Sequence, residues 1–452
     1  MTTRERPSVL ELQRQLNAGE TTSEELIEQA LARIADPEGE GSRAFTAVWA
    51  DQARAAARAS DTLRAAGLAR SELEGLPISV KDLFDVAGKV TRAGSAVRRD
   101  APPAERHATA VERLVRAGAV LIGHTNMTEF AFSGLGLNPH YGTPSSPWDR
   151  ARRRIPGGSS SGAGVSVADG MAVAALGTDT GGSIRIPSAF CGLTGFKPTA
   201  ARIPSQGAFP LSTTLDSSGP LAATVDCCAI IDAILADEQR PLPRVLPASE
   251  LRLALVQTLV FEGADDHVRL TIERAVDHLR KQGVTIDEIE IPEFLELADI
   301  NRKGGIVCAE AYSVHRDILA QQGEQYDPRV VSRILRGKES DAADYIELMS
   351  RRQQWIAAVE ARLRHYDALL MPTVPVVAPI IAELEASDEA YFKANSLILR
   401  NPGIINFLDG CALSLPCHRI GEAPVGLMVA GPSYTDDHIL DVGRSLEGML
   451  ER

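Results

Sequence analysis

Residues 157–199 read GGSSSGAGVSVADGMAVAALGTDTGGSIRIPSAFCGLTGFKPT, and no other part of the chain has this texture. The run is crowded with Gly, Ser and Thr and carries almost no charge. It is not a flexible linker, because its small residues interleave with Val, Ala, Leu and Ile, which seek a core. Dense packing of small residues between a helix and a strand would explain much of it. It would not explain two Gly-Gly-Ser turns, Gly157-Gly158-Ser159 and Gly181-Gly182-Ser183, set 24 positions apart. Glycine admits backbone angles closed to other residues and leaves amide N–H groups uncovered. Successive uncovered amides form an anion-binding nest. A serine at the end of such a nest is placed to attack a carbonyl while the nest holds the oxyanion.

A serine hydroxyl at its free pKa is a weak nucleophile and needs a base. The candidate is Lys81, in Pro77-Ile78-Ser79-Val80-Lys81-Asp82-Leu83-Phe84. It ends a short apolar run of β character. Burial there disfavours the ammonium form, and a neutral amine can accept a hydroxyl proton. An isolated lysine at a strand end is ordinarily solvated, so this reading depends on the company Lys81 keeps.

Composition narrows the classes. The chain has 452 residues, 47 Lys plus Arg against 60 Asp plus Glu, and a net charge of −13. Its apolar share of 44% and charged share of 24% are those of a globular protein. An acidic balance argues against a nucleic-acid partner, which selects a basic face. No run of about 20 apolar residues occurs, so no membrane span is expected. The opening MTTRERPSVLELQ has no apolar centre and does not read as a secretory leader. Six cysteines, Cys191, Cys227, Cys228, Cys308, Cys411 and Cys417, show no Cys-x-x-Cys pair and read as reduced, buried thiols of a cytoplasmic protein. Nine histidines form no metal-ligand spacing, so neither a metal nor a cofactor is expected.

Working outward from 157–199, helix-then-strand alternation points to an α/β sheet. A helix over about 108–117, a Gly118 cap and a strand over 119–125 precede the run. The first 67 residues read as helices. Thr22 and Glu25 form a capping box, with Leu26, Ile27, Ala30, Leu31 and Ile34 following at helical spacing, and an Ala/Arg-rich helix covers 51–66. Pro241, Pro243 and Pro247 mark a link at 239–250 into the second half. There, 253–256 and 284–291 read as strands, and 371–377 and 424–430 as later strands or sheet-end loops.

These residues resemble the amidase signature family, the Ser-cisSer-Lys amidohydrolases. The match rests on the 24-residue serine spacing, on Lys81 in Gly75-Leu76-Pro77-Ile78-Ser79-Val80-Lys81-Asp82, and above all on Thr178-Asp179-Thr180-Gly181-Gly182-Ser183-Ile184-Arg185. Gly195-Phe196-Lys197-Pro198-Thr199 closes it. Weaker likeness at Thr125-Asn126-Met127-Thr128-Glu129-Phe130, Met371-Pro372-Thr373 and Pro424-Val425-Gly426-Leu427 extends it over nearly the whole chain.

The resemblance implies one large α/β domain, a twisted mixed sheet covered by helices. Within it, 1–70 would form N-terminal helices, 71–238 a catalytic core, and 251–452 a substrate-shaping half completing the sheet. It implies Ser183 as nucleophile, Ser159 after a cis peptide bond as proton relay, and Lys81 as base. The amides of Thr180, Gly181, Gly182 and Ser183 would form the oxyanion hole. Met127 would line the substrate pocket, Ser160 would help hold Lys81 beside the substrate, and Asp179 and Arg185 would brace the turns. The substrate would be a small-molecule amide, or a related carbamate, urea-like or ester bond, with no nucleic-acid or membrane partner. A homodimer is left open as an assembly. The alternative role is that of the glutamine-hydrolysing, ammonia-releasing component of a tRNA-dependent amidotransferase, whose triad is the same.

Three rival chemistries compete with this reading. Gly158-Ser159-Ser160-Ser161-Gly162 fits Gly-x-Ser-x-Gly with Ser160 as nucleophile, but the approach Trp148-Asp149-Arg150-Ala151-Arg152-Arg153-Arg154-Ile155-Pro156 is charged and closed by proline, where an apolar strand is needed. No Gly-Lys-Ser/Thr follows either glycine turn, against a phosphate loop. Cys191 as a thiol nucleophile competes with its reading as a small buried core residue.

Overall fold

The computed structural model of the chain describes residues 6–450, so residues 1–5 of the opening read as lacking a leader lie outside the described residues. Its strands are β1 (Phe45–Val48), β2 (Pro77–Lys81), β3 (Val120–Thr125), β4 (Ala174–Asp179), β5 (Thr194–Lys197), β6 (Ser217–Ala222), β7 (Arg252–Val256), β8 (Thr285–Ile289), β9 (Ala368–Pro372), β10 (Cys411–Pro416) and β11 (Gly426–Gly431). They form one mixed sheet in the order β1-β3-β2-β4-β6-β5-β10-β11-β9-β7-β8. β2 pairs in parallel with β3 and β4, and β7 in parallel with β8 and β9. The strands between run antiparallel.

Six of the interior strands, β2, β4, β6, β9, β10 and β11, are buried along their whole length, as expected for a sheet covered on both faces. That is why they read as apolar or small-residue runs instead of alternating patterns. The second half joins the first edge to edge, since β10 pairs with β5. β8, at the sheet margin, shows the exposed and half-exposed side chains of an edge, which explains the acidic residues that alternate along it. A single hydrophobic cluster extends from Val9 to Leu450.

Local signals hold where local chemistry sets them. Thr22 and Glu25 form the full capping box at the head of Ser23–Ala35. The helix placed over 51–66 is Ala50–Ala65, and the one over 108–117 is Thr109–Arg116. The all-helical reading of the first 67 residues is corrected at β1. Its four residues lie at the sheet edge against β3, with a register shift between Phe45 and Ala47. Their pairing partner stands some 75 residues along the chain, so no local pattern announces it.

The small-residue run is where backbones meet most closely. Ser161–Ala168 forms a helix. A β-carbon placed on Gly162 would stand 2.1 Å from the Ala44 carbonyl oxygen and 2.6 Å from the Asn126 nitrogen, both main-chain atoms. Gly162 N–H itself donates to the Asn126 carbonyl at 2.8 Å. Gly162→Ala must therefore push the helix away from the residue after β3. Chemical denaturation should register a loss of about 2 kcal/mol or more, and an unchanged midpoint would show that the contact can relax.

Candidate active site

β2 and β4 run side by side in parallel, so their carboxyl ends open together, where open α/β sheets place their sites. β2 ends on Lys81 and β4 on Asp179. Lys81 is fully buried. Its Nζ donates to Ser159 Oγ at 2.7 Å and to Thr178 Oγ1 at 2.8 Å. Burial drives the Lys81 amine down to about 7, against the opposing pull of Asp216 and Asp179.

Ser159 is reached through a cis Gly158–Ser159 peptide bond. The turn before it is tight. A β-carbon on Gly158 would meet the Gly136 nitrogen at 2.5 Å. Ser159 has no exposure, whereas Ser183 keeps 4%.

The loop carrying Ser183 is organised by one carboxylate. Asp179 accepts from the amides of Gly182 (2.8 Å) and Ile184 (3.1 Å). It also takes a two-pronged contact from Arg185, Nη2 at 2.9 Å and Nε at 3.0 Å. Asn406, from the helix Asp388–Phe407, donates to Asp179 at 2.8 Å and accepts from Arg185 at 2.6 Å. Burial alone would raise the Asp179 carboxyl, but the Arg185 guanidinium, Lys197 and Asn406 hold it far below the usual carboxylate range. Gly182 has φ +122, and a β-carbon there would meet Pro402 Cβ at 2.6 Å. The amides of Thr180, Gly181 and Ser183 donate to no acceptor among the described residues.

A cavity opens beside this loop. Thr178, Thr180, Asp216, Ala131, Phe209 and Leu83 are among its walls. Among the described residues, Asp216 is the one ionisable side chain lining it. Ala131 and its neighbour Phe130 both take left-handed φ, +61 and +48, and that turn brings Ala131 to the wall.

Three residues stand differently from the sequence reading. Met127 is buried in the main core, its carbonyl held by Asn138 Nδ2 at 2.7 Å, and Ala131 occupies the cavity wall expected of it. Ser160 lies off the cavity wall, and its Oγ donates to the Thr178 carbonyl at 3.4 Å; it is the Thr178 hydroxyl that touches Lys81. Gly182, expected to offer its amide to the oxyanion, has that amide engaged by Asp179. The sequence reading missed Thr178, Asp216 and Asn406 as members of the site. Thr178 stood inside the most specific stretch, yet only the adjacency of β2 and β4 reveals its contact. Asp216 and Asn406 carry no local signal.

The rival chemistries find little support. Cys191 is buried, its thiol donates to the Pro156 carbonyl at 3.5 Å, and burial pushes it up to about 12. No strand runs into Ser160. Among the described residues no group of three His, Cys, Asp or Glu is placed to hold a metal ion, and no helix is long and apolar enough to cross a membrane.

Comparison with known proteins agrees with the geometry. The family model described as Amidase matches residues 25–440. A 2-amino-5-chloromuconic acid deaminase of Comamonas testosteroni is 36% identical over 404 residues, 88% of this chain and 87% of that protein. The A-subunit of the glutamyl-tRNA(Gln) amidotransferase of Chloroflexus aggregans is 34% identical over 470 residues, 96% of this chain and 95% of that one. Among solved structures, a crystal structure of an amidase superposes with a TM-score of 0.88 at 34% identity, covering 98% of this chain and all of its own. The peptide amidase from Stenotrophomonas maltophilia gives 0.81 at 26% identity, over 98% and 96% of the two chains. With its profile matched from helix Ser23–Ala35 to helix Asp436–Met449 and its relatives a third identical along almost their full lengths, this chain belongs to the amidase family and is a hydrolase acting on C–N bonds.

Proposed function

We propose that the protein hydrolyses a small-molecule amide, or a related carbamate, urea-like or ester bond, through an acyl-enzyme on Ser183 with Ser159 and Lys81 as proton relay. The observation that carries this is the 2.7 Å contact between a fully buried Lys81 Nζ and Ser159 Oγ. An amine held near neutrality in its proton affinity serves as a base at neutral pH, where an ordinary lysine would not.

In this mechanism neutral Lys81 draws the Ser159 proton as Ser159 takes that of Ser183. Ser183 Oγ attacks the carbonyl carbon, and the negative charge forms on the carbonyl oxygen. The free amides of Thr180, Gly181 and Ser183 receive it, while the Gly182 amide stays committed to Asp179. The proton returns through Ser159 to the leaving nitrogen, and water then attacks the ester by the reverse path. Thr178 Oγ1 aims Lys81, and the Asp179–Arg185 pair fixes the loop that carries both nucleophile and amides. The free, buried cysteines fit a reducing, cytoplasmic setting.

A second reading, the ammonia-releasing component of a tRNA-dependent amidotransferase, is favoured by the curated relatives from such enzymes, which match along nearly the whole chain. Its substrate would be glutamine, whose α-carboxylate calls for a cation, and among the described residues no Lys or Arg lines the cavity. A neutral acyl group fits those walls better. Ammonia release by the purified chain alone from neutral amides such as benzamide, with little from glutamine, is expected. Glutamine hydrolysis that appears only with a partner protein would reverse the choice.

Ser183→Ala and Lys81→Ala should each lower kcat by more than about 10³-fold, and the double variant should fall little further, since members of one unit fail together. Near-normal turnover by Ser183→Ala ends the reading. Because Lys81 acts as the neutral amine, kcat/KM should climb as pH rises through about 7 and level off above it. Arg185→Met leaves the Asp179 charge buried without its partner and should reduce stability by roughly 3–5 kcal/mol in denaturant titration. Arg185→Lys should restore little of that, because an ammonium cannot make the two-pronged contact.

A further inference from the structure

Asp216 is left over from the mechanism above, and its position is unusual. It stands one residue before β6, where Asp179 of β4 pairs with Ser217. Asp216 thus lies across from Thr180, at the first step of the Ser183 loop. Thr180 Oγ1 donates to Asp216 Oδ1. The other oxygen accepts from the amides of Leu211 (2.9 Å) and Ser212 (3.1 Å). One carboxylate therefore ties the oxyanion loop to the segment that supplies Phe209 and Leu211 to the cavity wall.

That segment has a second anchor. Glu310, on the helix Gly305–Gln322, accepts from the hydroxyls of Ser212 and Thr214 and from the Thr214 amide at 3.0 Å. Tyr345, on Ala342–Leu363, donates to Glu310 at 2.7 Å. The wall segment is thus held to these helices as well as to Asp216. Asp216 adds to this the fastening of Thr180 and a negative charge at the cavity.

We propose that Asp216 is a positioning residue for amide hydrolysis: its carboxylate fixes Thr180, and with it the first amides of the oxyanion loop, and sets a negative charge on the cavity wall it shares with Thr178, whose hydroxyl touches Lys81. The inference rests on the Ser183 mechanism above. Burial lifts the Asp216 carboxyl to about 6, against the opposing pull of the Thr180 hydroxyl, the Ser212 and Leu211 amides and, more weakly, Lys81. The charged groups facing Lys81 are Asp216 from the β6 side and Asp179 from β4. Arg185 and Lys197 already act on Asp179, and Asp82, next in sequence, lies 3.2 Å from His124. Removing the Asp216 charge thus takes away a major influence that keeps the Lys81 proton on.

Asp216→Asn, Thr180→Val and Thr180→Ser test this with neutral amides across pH. Asp216→Asn should lower kcat by about tenfold or more, with KM changed less than about threefold. It should also move the acid limb of kcat/KM to lower pH by about half a unit or more. Thr180→Val should lower kcat to a similar degree while leaving the limb in place, because the charge remains, and Thr180→Ser should restore kcat. A merely structural role would lower activity without moving the limb. An Asp216→Asn protein with kcat within about threefold of the parent, or with an unmoved limb, overturns the inference. If Asp216→Asn shows no cooperative melt, the threonine pair decides, and a Thr180→Val enzyme equal to the parent overturns it. An inert Ser183→Ala beside a parent-like Asp216→Asn sinks this inference alone, whereas a working Ser183→Ala sinks the mechanism with it.

Discussion

Lys81 sits where its own charge is least welcome. Strand pairing on both sides of β2 carries the lysine out of water, and its hydrogen-bond partners among the described residues are two hydroxyls, those of Ser159 and Thr178. A paired carboxylate at that distance would have stabilised the ammonium and removed the base that the proposed mechanism needs. The acids nearest in effect, Asp179 and Asp216, are each engaged with other donors, Arg185 and Asn406 for the first and Thr180 with two amides for the second. Their fields reach Lys81 but their oxygens do not clasp it, so the amine keeps a proton affinity close to neutral pH.

The same economy of partners holds the nucleophile loop. Asp179 gathers Gly182, Ile184 and both prongs of Arg185, and this leaves the neighbouring amides uncommitted. The Asp179–Arg185–Asn406 triangle holds the loop from which these uncommitted amides project. Asn406 comes from the second half of the chain, so the nest is completed only when both halves share the sheet. Catalytic geometry and the joining of the halves are therefore one folding problem.

How much of this the sequence discloses follows from the range of each interaction. The capping box at Thr22 and Glu25 is legible because both partners lie within one turn. The two Gly-Gly-Ser turns are legible because only glycine fits where main-chain atoms approach as closely as at Gly158, or where a side chain crowds in as Pro402 does at Gly182. Lys81 could be named as a base only beside those turns, since a lysine ending a strand is usually wet. Thr178, Asp216 and Asn406 stayed hidden because strand adjacency, not local sequence, puts them at the site. Met127 is expected from the sequence at the wall where Ala131 stands, for a related reason. Both follow β3, and only the left-handed turn at Phe130 and Ala131 determines which of them meets the cavity.

The contrast between Cys191 and Ser183 shows what the environment adds to intrinsic reactivity. In water a thiol is the better nucleophile by far. Here the thiol is enclosed beside the Pro156 carbonyl, and burial raises it beyond any useful ionisation. Ser183, eight residues earlier, has free amides around it and a small exposed edge, and the proposed relay through Ser159 ends on Lys81, whose amine burial draws down to about 7. The difference lies in desolvation. Applied to a lone thiol it removes the reactive anion, and applied to an amine among hydroxyls it creates the reactive base. In the proposed mechanism, one dry environment, formed where β2 and β4 end together, thus makes the weaker nucleophile the working one.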